Sequence, residues 1–188
     1  VQRMINADRS GVMFSKNPVK NNDEVMIEAV FGLGEGIVSG KIKPDQYILS
    51  KDLEILKENI SDKKLAMIRT AEGTNKFVEL DEEKSKSRVL KTHQVKELGQ
   101  YAQKLEEHYN IPQDIEFSIE DNEIFILQTR PITTLKKDSG EKKAEIHGQI
   151  ITEGMPASPG VASGVVKIII SMDDLDKIKQ GDILVTTM

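Results

Sequence analysis

Cysteine is absent from the 188 residues, which excludes disulfides and thiolate metal centres and is compatible with a reducing cytoplasm. Long apolar runs are absent too. No stretch approaches the roughly 18 residues that would span a bilayer, and no signal peptide is expected ahead of the fold. Excess basic charge is also missing: 26 Lys plus Arg against 31 Asp plus Glu leaves -5, so no positive field recruits nucleic acid. With 38% hydrophobic residues the chain can bury a real core, and its length fits one domain or one and a fraction.

Two short runs carry the chemistry. In Asp114 to Ile119 the odd positions Ile115, Phe117 and Ile119 are apolar and the even positions Asp114, Glu116 and Ser118 polar, the period of a half-buried strand. Ile124 to Thr129 is a second strand, and Asp121-Asn122 between them is turn chemistry, so the pair predicts a hairpin. A three-residue loop, Asp121-Asn122-Glu123, places Glu116 opposite Gln128 and Asp114 opposite Arg130. Opposed pairs lie about 5 Å apart, close enough for Glu116 and Gln128 to share one small cation. A two-residue loop would oppose Glu116 to Leu127 and break the shared cation site. Hard oxygens in small number beside an Arg fork suit Mg²⁺ carrying phosphate oxygens. The same pattern also fits an edge hairpin whose polar face meets water.

The run Asp114-Ile115-Glu116-Phe117, with Gln128 twelve positions after Glu116 and Arg130 two further on in Gln-Thr-Arg-Pro-Ile-Thr, resembles the nucleotide-binding domain of phosphoenolpyruvate synthases. It is similar also to pyruvate phosphate dikinases and rifampicin phosphotransferases. The resemblance implies an ATP-grasp-like fold in which Glu116 and Gln128 hold Mg²⁺ and, with Gln2 and Arg130, bind ATP. Arg130 is then the catalytic residue, acting on the phosphates, with Asp114 and Glu35 placed beside this set. Phe117 stands where the family usually has Trp, which keeps an aromatic plug.

Taken in order, Val1 to Ile5, Gly11 to Ser15 and Val25 to Val30 predict an antiparallel meander with turn residues in its gaps. Gln2 stands where the family's nucleotide-contacting Gln stands; read from the residues alone, it is also a polar residue at a strand end. Gly32-Leu33-Gly34-Glu35-Gly36 follows a strand but is not the dinucleotide fingerprint, because the third Gly comes one place early. Glu35 there either approaches nucleotide or builds the turn. Val-Ser-Gly at 38–40 and Pro44-Asp45 continue the family's order. Strands are expected across 47–80, where Lys63, Lys64 and Arg69 read as a solvated basic strand edge, with contact to an anion as the alternative. Val95, Leu98, Ala102, Leu105 and Tyr109 repeat at helical spacing, with Thr92 as cap and Asn110 before Pro112 as the stop. His93 and His108 on or beside that helix read as surface or boundary histidines.

The expected fold class is therefore α+β: over 1–134, part of an ATP-grasp-like domain with a mostly antiparallel sheet and a long helix. A charged linker follows over 135–145. Residues 146–188 resemble the first part of the family's swivelling phosphohistidine domain, with Gly154, Ala157-Ser158-Pro159-Gly160 and Gly164 ahead of a strand Val165 to Ile170, a short helix Asp173 to Lys179 and a strand Asp182 to Val185. The family's phosphorylated His lies in a Gly-Gly and His-Ala motif that these residues do not contain, and His147 matches no such motif. Both chain ends read as mid-strand, so a piece of a longer protein is expected, one without turnover by itself. The implied parent reaction takes pyruvate, ATP and water to phosphoenolpyruvate, AMP and phosphate, with ATP, pyruvate and the remaining domains of the same polypeptide as partners. Transfer to an antibiotic hydroxyl and a non-catalytic scaffold are the rival readings. No nucleic acid or membrane partner is expected, and a homo-oligomer is left open.

Overall fold

The computed structural model describes residues 2–132, 162–170 and 172–186, and the chain divides into two compact units, Val1–Ala144 and Glu145–Met188. In the first unit β1 (Arg9–Phe14), β2 (Val25–Phe31), a short helix α1 (Glu35–Val38), β3 (Asp45–Leu49) and β4 (Ile55–Asn59) are followed by β5 (Leu65–Arg69) and β6 (Asn75–Glu79). Helices α2 (Glu82–Lys86) and α3 (Thr92–Tyr109) then lead to β7 (Gln113–Glu120) and β8 (Glu123–Pro131). Six strands form one sheet in the order β4-β3-β2-β1-β7-β8, antiparallel throughout, while β5 and β6 make a separate hairpin. The fold is thus mixed, with a mostly antiparallel sheet.

Pairing fixes which side chains share a face. Gly11 lies opposite both Ala29 and Phe117, and Met13 opposite Ile27 and Ile115, so the odd positions of these strands make one apolar layer. A Cβ on Gly11 would fall 2.6 Å from the Phe117 ring, so the aromatic plug needs glycine beneath it. Buried Val95, Leu98, Gly99 and Ala102 of α3 cover this layer. Asn110 ends α3 in the left-handed conformation, at φ 54°, as its place before Pro112 suggests. The start differs: Lys91 rather than Thr92 is the cap residue, and the Gln94 side chain accepts its N–H at 3.0 Å.

A buried polar knot holds the approach to α3. Asp45 and Lys63 are both sequestered and form an ion pair. Asp45 Oδ1 also accepts the Ser61 N–H at 3.0 Å, while Oδ2 accepts the Val89 N–H at 2.8 Å and the Tyr47 hydroxyl at 3.2 Å. The Tyr47 oxygen in turn accepts the Leu90 N–H. One carboxylate therefore joins β3 to the link before β5 and to the segment entering α3. Lys63 corrects the expected solvated strand edge: the residue is 1% exposed, and Asp45 and the Ser61 carbonyl replace water around its ammonium.

A second correction concerns the start. Gln2 to Asp8 carry no strand, and β1 begins at Arg9. The Glu120 carboxylate takes the role of a ladder partner there, accepting the Asn6 N–H at 3.0 Å and the Arg3 guanidinium at 2.8 Å. In the second unit β9 (Val166–Ile169) pairs parallel with β10 (Ile183–Thr186), and a 3₁₀ turn over Met172–Lys177 stands where a helix to Lys179 was expected. The expected linker at 135–145, His147, Gly154 and Ala157-Ser158-Pro159-Gly160 lie outside the described residues. Among the described residues no helix is long and apolar enough to cross a membrane.

Lys63→Met should lower the unfolding free energy by about 3–5 kcal/mol, because it strands a buried carboxylate; urea titration reads this directly, and a loss under about 1 kcal/mol would make the pair dispensable. Burial above all pushes the Tyr47 hydroxyl up to about 12 from an ordinary 10.0. The unfolded chain therefore loses this proton first. The resulting stabilisation is complete below pH 10 and is lost between pH 10 and 12, by roughly 2–3 kcal/mol. Tyr47→Phe should remove that alkaline slope relative to the unsubstituted chain.

Candidate functional site

The loop between β7 and β8 is two residues, Asp121-Asn122, with φ of 52° and 66°, the left-handed pair of a type I′ turn. This corrects the expected three-residue loop. Glu120 pairs with Glu123, Ile119 with Ile124, Ser118 with Phe125 and Phe117 with Ile126. A β-bulge then shifts the register between Glu116 and Phe117, leaving Leu127 as the extra residue. Beyond it Glu116 opposes Gln128 and Asp114 opposes Arg130, the pairing the motif requires.

The bulge resolves a conflict of parity. Ile124 and Ile126 belong against the core, and two-residue alternation would have carried Gln128 and Arg130 to that same face. With one residue added, Ile126 stays opposite Phe117 on the core side while Gln128 joins Glu116 on the other. Leu127 also presents its carbonyl to Gln2, whose Nε2 donates to it at 3.0 Å.

Asp114 Oδ2 accepts a hydrogen bond from Nε of Arg130 at 2.9 Å and lies 2.9 Å from Nη2 in an ion pair. This grip aims a guanidinium that is otherwise open to solvent. Glu116 and Gln128, by contrast, have no side-chain partner among the described residues. The neighbouring row extends across the sheet: Val12 pairs with Glu116 and with Glu28, and Glu28 pairs with Gln46, whose Nε2 donates to Glu28 at 3.0 Å. Glu28 and Gln46 were passed over in sequence; a carboxylate inside Val25-Met26-Ile27-Glu28-Ala29 is the signal that could have found them. Glu35 is held elsewhere, where its Oε2 accepts from Asn75 of β6 at 2.9 Å. The β7–β8 hairpin therefore carries Asp114, Glu116, Gln128 and Arg130 with Gln2 hydrogen-bonded to it, and among the described residues no hydrogen bond or ion pair joins Glu35 to them.

The free oxygens of Glu116 and Gln128 fit Mg²⁺, which takes one or two protein ligands and completes its shell from water and phosphate. No group of three or more His, Cys, Asp or Glu side chains suited to a metal exists among the described residues, so a cage built wholly by such residues is not the arrangement here.

Residues 1–149 match the family described as pyruvate phosphate dikinase, AMP/ATP-binding domain. The chain belongs to that family. Over its whole length it is 46% identical to a probable phosphoenolpyruvate synthase of Methanocaldococcus jannaschii, 43% to one of Archaeoglobus fulgidus and 44% to the phosphoenolpyruvate synthase of Pyrococcus furiosus. It spans 16%, 26% and 24% of those proteins respectively. The mixed fold and mostly antiparallel sheet agree with a domain of the dikinase AMP/ATP-binding family.

Because Arg130 is two-thirds exposed, its pair with Asp114 contributes little to folding. Asp114→Ala should lower stability by less than about 1 kcal/mol in urea titration; a larger loss would make the pair a structural tie and not a brace for the guanidinium.

Proposed function

We propose that this chain forms one wall of an Mg-ATP site in a phosphoenolpyruvate synthase. The observation that carries the reading is the hairpin face on which unpartnered Glu116 and Gln128 lie next to an Arg130 already aimed by Asp114. Family membership and relatives named phosphoenolpyruvate synthase support it. The parent protein then converts pyruvate, ATP and water to phosphoenolpyruvate, AMP and phosphate through a phosphohistidine. The domain reading follows: 1–134 is part of an ATP-grasp-like domain, 135–145 a linker, and 146–188 the beginning of the swivelling domain.

Glu116 and Gln128 would hold Mg²⁺, which when bound offsets the negative charge of the phosphate oxygens. Arg130 keeps Nε and Nη2 on Asp114 and presents its remaining N–H groups to the phosphoryl group, so little side-chain entropy is lost when charge develops there. Gln2, fastened to the Leu127 carbonyl, lies along the same hairpin and contacts the nucleotide. Residues 1–188 alone hold an incomplete site and give no turnover.

In the full-length enzyme Arg130→Ala should lower kcat by about a hundredfold or more while changing the ATP KM far less. Steady-state kinetics at saturating pyruvate checks this. Equal losses in kcat and in ATP binding would instead make Arg130 a residue of uniform binding.

A further inference from the structure

A cavity of about 530 Å³ opens on the opposite side of the sheet from Glu116 and Gln128. Arg9 pairs with core-facing Phe31 and Ile119, which places its side chain on the α3 side, whereas Glu116 pairs with Val12 on the other. The walls come from the stretch before β1, the end of β2, the β5–β6 hairpin and α2. Gly32, at φ 77°, lets β2 run so close to β5 that a Cβ there would lie 2.0 Å from the Met67 carbonyl oxygen, and that carbonyl accepts the Leu33 N–H at 2.8 Å. The two walls are thereby fixed to each other.

Three cations line this space, Arg9, Arg69 and Lys84, and none forms an ion pair among the described residues. Arg9 Nε is buried with no acceptor, so this guanidinium is already partly stripped of water without a protein partner to replace it. Lys84 is set by the Asp81 cap, which accepts its N–H at 2.7 Å, and its ammonium stands 4.3 Å from the centre of the Phe31 ring. Asp8, the one acid in the lining, has Oδ2 taken by the Asp121 N–H at 3.0 Å. Phe31, Ile68, Val78 and Leu80 supply apolar wall. A buried, unpaired positive charge costs free energy that an anion recovers, and a greasy wall beside it favours a ligand with an apolar body.

We propose that this cavity binds a small organic anion, a phosphate or carboxylate group on a short apolar body, gripped by Arg9 and Arg69 and flanked by Lys84. The ion is distinct from ATP, and the proposal does not rest on the nucleotide reading. Of Lys63, Lys64 and Arg69, only Arg69 lines this cavity.

Backbone amide shifts of the isotopically labelled 188-residue chain, titrated with phenyl phosphate, benzoate and benzyl alcohol, test this. Saturable shifts at Ala7, Gly32 and Ala66 are expected with at least one of the two anions, the tighter one identifying the headgroup, and benzyl alcohol should bind about tenfold more weakly or worse. Arg9→Met and Arg69→Met should each weaken the anion by about tenfold, and Glu116→Gln should leave it unchanged. Arg69 is on the exposed end of β5, so its variant keeps the test alive if Arg9→Met fails to fold. The proposal is overturned by no saturable shift with either anion, by an equal response to benzyl alcohol, by full affinity in either folded Arg variant, or by an equal loss in Glu116→Gln.

Discussion

One surplus residue in β8 decides what the sheet can do. A type I′ turn gives the strongest local pairing that Asp121-Asn122 can make, and strict alternation from that turn would aim Gln128 and Arg130 into the core beside Ile124 and Ile126. Burying a guanidinium and an amide there without partners would cost several kcal/mol. Leu127 takes up the mismatch, so the turn keeps its preferred geometry, the apolar residues keep theirs, and the polar pair reaches the opposite face. The bulge is therefore a requirement of the hairpin and not an accident of it.

The forces that hold the fold are kept away from that polar face. Asp45, Lys63 and Tyr47 lie on the core side, where their hydrogen bonds tie β3 to the entrance of α3, and α3 then covers the strand residues beneath it. The side chains of Glu116 and Gln128 make no internal bond among the described residues, so the oxygens that suit a cation are not the ones the fold depends on. A sheet with one dry face and one polar face permits this division, because alternation assigns each side chain wholly to one or the other.

Much of this was legible in the residues. Alternation in Asp114 to Ile119 identified β7 and its faces, helical spacing identified α3, and the Glu116–Gln128 and Asp114–Arg130 pairings were expected, though from a three-residue loop. The loop length did not, because two solutions, a longer loop or a bulge, give the same pairing near the site. The clash of parity between Ile124, Ile126 and Gln128 was the clue that distinguishes them. Lys63 was misread because a basic residue in a polar stretch looks solvated until its partner eighteen positions earlier, Asp45, is placed beside it. Arg9 was given no reading from sequence; that it faces inward depends on its pairing with Phe31 and Ile119, which lie far along the chain.

The segment before β1 shows how distant residues become one working unit. Its apolar pattern suggested a strand, yet most of its anchors involve a side chain: Gln2 on the Leu127 carbonyl, the Arg3 guanidinium and the Asn6 N–H on the Glu120 carboxylate, and the Asp8 carboxylate on the Asp121 N–H, beside a backbone bond from the Asp8 N–H to the Ile119 carbonyl. Each anchor belongs to the β7–β8 hairpin or its turn. A strand ladder would have tied this segment by many equivalent bonds and allowed it to slip by register; contacts of different chemistry fix one position. Gln2 therefore moves with Gln128 and Arg130, and its alignment with them is maintained by the same bulge that turned those two residues to the open face.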